Sequence, residues 1–350
     1  MPSYHKQEQE PATDEVTEVG PGVVRFQLPI QMPGLRHVNS YALLDDRGAA
    51  IVDPGMPGPS TWRALRRHLH RLGVPLRHVH TVVVTHSHPD HFGTAGRLAK
   101  EAGAELVTQR AFRTFRPGGT RPDQPDGGAP GSAGNPFASV PWGGPPPRPP
   151  RGRMLLFRVL RMAGQFLVPQ PTVRLDDGDT IKLAGREWTA LHTPGHTVDH
   201  LCLHDPDEGL FLSGDHVLPT ITPHVAGIGT GPDPLDSYLG SLRRVGQLDN
   251  VRRVLPAHGH PFDDLRGRVT AIERHHQERL AQLRAVSSSL GAATVEDYSR
   301  ELFRRARWGP MAQSETYAHL EHLRLAGQAE RFEKGGRVVY RIGPGPSPAT

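Results

Sequence analysis

Apolar runs that stop abruptly at polar, ligand-type residues recur along roughly the first two thirds of the chain. Thr81-Val82-Val83-Val84-Thr85 is a β-branched segment with Gly73 and Pro75 punctuating the chain before it, the composition of a buried strand. Ala49-Ala50-Ile51-Val52, Glu187-Trp188-Thr189-Ala190-Leu191, Leu210-Phe211-Leu212 and Val254-Leu255 have the same strand-like character. The pattern turns helical from Phe92 to Lys100, over Asp263 to Leu290 and from Ser314 to Ala326. Strands and helices therefore interleave, which predicts an α/β fold.

The residues that end the runs carry the chemistry. His86, His88, Asp90 and His91 fall within six positions directly after the Thr81–Thr85 strand, in a turn containing Pro89. Loops at the C-terminal ends of strands are where α/β proteins place reactive groups. Imidazole and carboxylate at such density suit a divalent metal of the zinc type. A solvated basic turn is the plainer alternative, because 21 histidines make accidental neighbours inevitable. His68 and His70, and the pair His275-His276, are read as such surface residues. Three further candidates end apolar runs beside a glycine: His196 with Gly195, Asp215 with Gly214 and His258 with Gly259. Five histidines and two aspartates suffice for two metal ions.

Thr85-His86-Ser87-His88-Pro89-Asp90-His91, then Gly195-His196-Thr197, Gly214-Asp215 and Ala257-His258-Gly259, resembles, in order, the pattern of the metallo-β-lactamase-fold hydrolases. The resemblance covers about Val23 to His260. It implies an αββα sandwich with the metals at one edge. It also implies that His86, His88 and His196 hold one ion, that Asp90, His91 and His258 hold the second, and that Asp215 bridges them. The nucleophile would be a metal-bridging hydroxide, water made acidic by two divalent cations. Zinc is the default for such ligands, and iron and manganese fit them too. Asp53, at the end of Ala49–Val52, looks like the family's early aspartate, a support behind the ligands. His224 is a candidate substrate contact.

The rest of the chain bounds this reading. Cys202 is the single cysteine and lies in Leu201-Cys202-Leu203, as a small core hydrophobe rather than a nucleophile. One cysteine allows no intrachain disulfide, and the polar start lacks a signal-peptide apolar region, so the cytoplasm is expected. No continuous apolar span of about 18 residues occurs. A net charge of +5, with only four lysines among 41 basic residues, is modest for a phosphate binder. Residues 1–20 read as a loose segment and 21–262 as the catalytic domain, interrupted by a Gly/Pro-rich insertion over 116–153. Met154 to Met162 reads as a short basic amphipathic helix: a lid over the cleft, a membrane-surface contact, or a helix docked on the sandwich.

Residues 263–350 read as a helical linker and a small domain. Thr294 is a helix N-cap, and Arg331 to Tyr340 forms a hairpin around Gly335-Gly336. Helix, helix and hairpin resemble the C-terminal winged-helix-like extension of a glyoxalase II-like branch of the family. Between Glu296 and Arg341, nine basic residues face seven acidic ones, so the unit is expected to pack on the hydrolase domain or make a homodimer contact. The leading function is hydrolysis of a small ester, thioester or lactone. The alternative is an endoribonuclease or phosphodiesterase that uses the winged-helix-like unit for RNA.

Overall fold

In a computed structural model, the strand-ending pattern becomes two sheets whose ends meet at one edge. The structure describes residues 6–32, 34–113, 140–143, 155, 159–160, 162–164, 166–227, 231–335 and 337–343. Most of the 116–153 insertion and of the Met154 to Met162 helix thus lies outside the described residues.

The first sheet has seven strands in chain order: β1 (Val16–Gly20), β2 (Val23–Met32), β3 (Leu35–Asp45), β4 (Gly48–Val52), β5 (Val79–Val83), β6 (Glu105–Gln109) and β7 (Val173–Leu175). Its first four strands are antiparallel and β4 through β7 are parallel. The second sheet is built from β8 (Thr180–Leu183), β9 (Arg186–His192), β10 (Leu201–Asp205), β11 (Leu210–Gly214) and β12 (Arg253–Pro256), in the spatial order β12-β11-β10-β9-β8. Only the β11–β12 pair of this sheet is parallel.

Alternation along the strands explains the layers. Tyr41, Leu43, Val52 and Val83 of the first sheet bury against Trp188, Leu203, Leu212 and Leu255 of the second. The opposite faces take helices. Phe26, Leu28, Ile51 and Val82 pack against Trp62, Leu65 and Leu69 of α1 (Pro59–Arg71). Cys202, Phe211 and Val254 pack against Tyr238 and Leu242 of α4 (Pro234–Gly246) and Ile272 of α5 (Leu265–Leu290). Each fully buried aliphatic or aromatic side chain contributes about 1.5–3 kcal/mol by leaving water, and the result is a helix–sheet–sheet–helix sandwich.

Between β5 and β6 the chain forms α2 (Pro89–Phe92) and α3 (Ala95–Ala102). A single helix starting at Phe92 was expected here. Thr94 breaks it: its backbone N–H and its hydroxyl both donate to the Gly55 carbonyl at 2.9 Å. Gly93 is equally constrained, since a Cβ there would lie 2.2 Å from Pro57 Cδ.

The C-terminal unit comprises α6 (Val295–Leu302), α7 (Pro310–Leu325) and a small sheet of β13 (Ala293–Thr294), β14 (Ala329–Lys334) and β15 (Arg337–Ile342). Thr294 and Asp297 form a reciprocal capping box at the start of α6. Tyr298, Tyr317, Leu320 and Tyr340 join the same apolar cluster as α4 and α5, so the unit shares the sandwich's outer core.

The expected loose start through residue 20 is corrected for residues 6–20. β1 pairs with β2, and Glu8 is fully buried, its carboxylate accepting the backbone N–H groups of Thr220 (3.0 Å) and Ile221 (3.1 Å). His68 and His276, read as surface residues, are buried as well. His68 stacks on Phe26 at 4.9 Å, and His276 stacks on His319 at 5.2 Å with Nδ1 and Nε2 3.1 Å apart. Among the described residues, no helix is long and apolar enough to cross a membrane.

Candidate metal centre

The seven residues that end apolar runs come together where the strands stop. Their ligand atoms form two groups, His86, His88, His196 and Asp215 in one and Asp90, His91 and His258 in the other, with the atoms of each group within 4.8 Å of one another. His86 and His88 follow β5, His196 follows β9, Asp215 follows β11 and His258 follows β12. Three different loops of the second sheet thus converge on the turn that leaves the first.

Three imidazole nitrogens meet in the first group. His88 Nδ1 lies 3.0 Å from His86 Nε2 and 3.1 Å from His196 Nε2. Ligands at about 2.0–2.1 Å around a tetrahedral zinc would be separated by roughly 3.3 Å, so the spacing is close to that of a metal cage. Asp215 stands between the groups: Oδ2 is 3.5 Å from His196 Nε2 and 3.7 Å from His91 Nε2, and Oδ1 is 3.3 Å from His258 Nε2. Asp90 Oδ2 is 3.7 Å from His91 Nε2 and 3.6 Å from His258 Nε2.

Three of the atoms aimed into this space lack hydrogen-bond partners. His91 Nε2, His258 Nε2 and Asp215 Oδ1 are buried without one. Orphaned buried polar atoms carry a desolvation cost that a cation would remove, so the donor set fits divalent metal ions.

For four of the five rings the nitrogen facing away is engaged, which fixes His86, His91, His196 and His258. His91 Nδ1 donates to Asp53 Oδ2 at 2.8 Å, His196 Nδ1 to the His224 carbonyl at 2.7 Å and His258 Nδ1 to the His37 carbonyl at 2.7 Å. His86 Nδ1 lies 3.0 Å from the Thr85 hydroxyl. Asp53 sits behind the centre and not in it. It takes φ 51, a left-handed conformation costly for a residue with a side chain, and its carboxylate also accepts from Thr85 N–H at 2.9 Å and Thr85 Oγ1 at 2.7 Å. His224 presents its carbonyl to His196, while its ring Nδ1 lies 3.3 Å from Glu315 Oε2.

Charge divides the two groups. Burial holds His86 well below the ordinary histidine range, lowers His196, and pushes His88 down to about 3. These rings are therefore neutral, the form that ligates metal. Burial works the same way on His91 and His258, but Asp53 and Asp90 beside the first, and Asp215 beside the second, outweigh it and raise both. Burial opposes ionisation of Asp215, yet His258 and His91 hold its carboxyl well below the usual range.

Other histidines near the motifs take different places. His192 Nε2 meets the Val198 carbonyl at 2.8 Å, and His216 is buried over the Tyr238 ring at 5.2 Å. Cys202 is buried beside Thr193, and burial pushes its thiol up to about 12, so it is no nucleophile at neutral pH. Two supports escaped sequence reasoning. His200 Nε2 accepts the Asp215 backbone N–H at 3.0 Å, and His37 Nε2 accepts the Gly259 N–H at 3.1 Å. His200, four residues past His196, offered a faint signal; His37, inside β3, offered none.

The comparisons with known proteins agree with this geometry. The family model described as "Metallo-beta-lactamase superfamily" matches residues 33–258. The chain is 26% identical over 318 residues to the "Probable metallo-hydrolase YqjP" of Bacillus subtilis, covering 83% of this chain and 89% of that protein. Over 109 residues it is 37% identical to the human "Acyl-coenzyme A thioesterase MBLAC2", covering 29% of this chain and 36% of that one. The crystal structure of the metallo-beta-lactamase family protein TTHA1429 from Thermus thermophilus superimposes with a TM-score of 0.69 at 29% identity, over 92% of this chain and 99% of that one.

Proposed function

The chain belongs to the metallo-beta-lactamase superfamily, and from that premise we propose that it is a binuclear metal-dependent hydrolase of an acyl thioester, ester or lactone. The observation that carries the reading is Asp215, whose two oxygens face His196 and His91 on one side and His258 on the other. In this reading His86, His88 and His196 hold one ion, Asp90, His91 and His258 the other, and Asp215 both. Bound there, divalent ions would acidify water and polarise the scissile carbonyl.

The protein's own groups do the rest. Asp53 keeps the His91 proton on Nδ1, and the His37 and His224 carbonyls do the same for His258 and His196. Once any Nε2 proton is displaced by a cation, each ring thus offers Nε2 without moving the proton on Nδ1. Buried Thr85 and Asp53 set the strand end from which His86 departs.

An acyl thioester is favoured because the thioesterase relative matches this chain. The endoribonuclease alternative has no comparable support, and what the C-terminal unit brings to the His224 ring is a carboxylate, Glu315. We read that unit as the winged-helix-like extension of a glyoxalase II-like branch, with zinc as the resident ion and the cytoplasm as the setting.

The test is metal content of the purified protein, followed by hydrolysis of an acyl-CoA, a lactone, a phosphodiester and a short RNA. About two zinc equivalents, as the two groups imply, with thioester or lactone turnover are expected. No divalent metal, or RNA as the sole substrate, would overturn the reading.

A further inference from the structure

The sandwich alone does not complete the centre, because one ligand is braced from the C-terminal unit. His196 donates from Nδ1 to the His224 carbonyl at 2.7 Å, and that carbonyl belongs to residues 217–227, which have no regular secondary structure. α7 holds this stretch at several points. Glu315 Oε2 lies 3.3 Å from His224 Nδ1, Ser314 Oγ accepts the Gly227 N–H at 3.0 Å, and a Cβ on Gly227 would lie 2.5 Å from the Tyr317 ring. α7 is itself anchored: His319 Nδ1 donates to the Glu315 carbonyl at 2.7 Å and stacks on His276 of α5.

We propose that Glu315 is a positioning residue for the candidate metal centre, holding the His224 ring so that the His224 carbonyl fixes the orientation and tautomer of His196. The Glu315 carboxylate is only 17% exposed and the His224 ring 22%, so the pair is sheltered enough for the hydrogen bond to constrain both. The carboxylate makes no contact with the seven convergent residues, and its effect passes through one ring and one carbonyl. The C-terminal unit then belongs to the catalytic assembly, although every expected ligand lies N-terminal to it. The inference rests on His196 being a ligand, as proposed above.

Two measurements test it. In metal-free protein, long-range proton–nitrogen correlation of the imidazoles reads which His196 nitrogen is protonated. Nδ1–H is expected in the wild type and in E315Q, whose amide oxygen still accepts from His224. Mixed tautomers are expected in E315A and H224A. Zinc competition against a chromophoric chelator should show about ten- to hundredfold weaker binding in E315A and H224A, the usual effect of losing an outer support. The double variant should be no worse than the weaker single one, because the two residues act in one chain of contacts.

Unchanged tautomer and zinc affinity in folded H224A and E315A would overturn the proposal. So would additive losses accompanied only by a lower melting temperature. H224A leaves α7 intact and decides the matter if E315A does not fold. A wild type that binds no zinc would sink the metal reading, while the tautomer measurement still decides the role of Glu315.

Discussion

The two halves of the candidate centre are braced in different ways. Asp90, His91 and His258 lean on the first sheet: Asp53 after β4 holds His91, and the His37 carbonyl of β3 holds His258. His86, His88 and His196 meet mainly one another, and His196 is held by an irregular stretch that α7 supports. The first half is rich in carboxylates and raises its imidazoles; the second is poor in them and keeps its imidazoles neutral. One half is preorganised by strands, and the other is assembled by packing between two units of the chain.

Asp215 is the residue that both halves share, so its loss should have the largest effect. Asp215→Asn keeps the shape but removes the charge facing His91, His196 and His258. Metal content measured on the purified variant should drop at both groups, with turnover lost. Without metal, His91 and His258 would also face less compensating charge, and losing a buried partner costs about 3–5 kcal/mol. A variant that retained full metal content would break the idea of a shared ligand.

Asp53→Ala acts on one half only. It leaves His91 Nδ1 and the Thr85 N–H without their acceptor, and it places alanine at φ 51, where its Cβ is strained. Zinc titration should show the site of Asp90, His91 and His258 losing affinity by about 10–100-fold, with the His196 group less affected. Equal loss at both sites would show that the halves are not separately braced. Asp53→Asn, which tolerates that backbone, separates the conformational part from the charge.

Acid sharpens the comparison. His88 titrates at about 3 in the folded chain against the ordinary histidine value of about 6.5 when unfolded. Between those values the unfolded chain binds the extra proton, so stability is full above about pH 6.5 and drains away as pH falls toward 3. His216 and His276, also held near 3, add to the same limb. His91 and His258 run the opposite way: their contribution is present below the unfolded value and fades as pH rises through their raised ones. Thermal melts of chelator-treated protein should therefore lose melting temperature from pH 6.5 downward. His88→Ala should flatten that limb, and an unchanged slope would show that His88 is not held neutral.

The near-ligand geometry was legible in the sequence because metal chemistry demands recognisable things: imidazoles and carboxylates, apolar runs to carry them, and glycines where the chain turns. Gly195 shows the last point, with φ 136 and Tyr238 Cβ 2.3 Å from where its own Cβ would lie. What supports the ligands was mostly illegible, because His37, Glu8 and Glu315 act across separations that leave no local pattern. His68 was readable in principle, since Leu65, His68 and Leu69 share the buried face of α1. Its charge-bearing neighbours Arg66 and Arg67 suggested solvent instead. The early segment was misjudged for a related reason: Lys6–Glu10 is polar, yet its polar groups are satisfied by Thr220, His260 and His37.

The smallest expected effect belongs to Cys202. Its thiol is buried in the outer core between Thr193 Oγ1 at 3.3 Å and the Ser213 carbonyl at 3.4 Å, and it faces the α4 layer rather than the convergent imidazoles. Cys202→Ala removes one sulfur from a packed interior, a loss of about 1 kcal/mol by the cost of a small cavity. Turnover per folded molecule should stay at the wild-type level, as should metal content. A large fall in turnover with the melting temperature unchanged would mean that a thiol takes part in the chemistry, and the division of labour between the two halves would have to be redrawn around it.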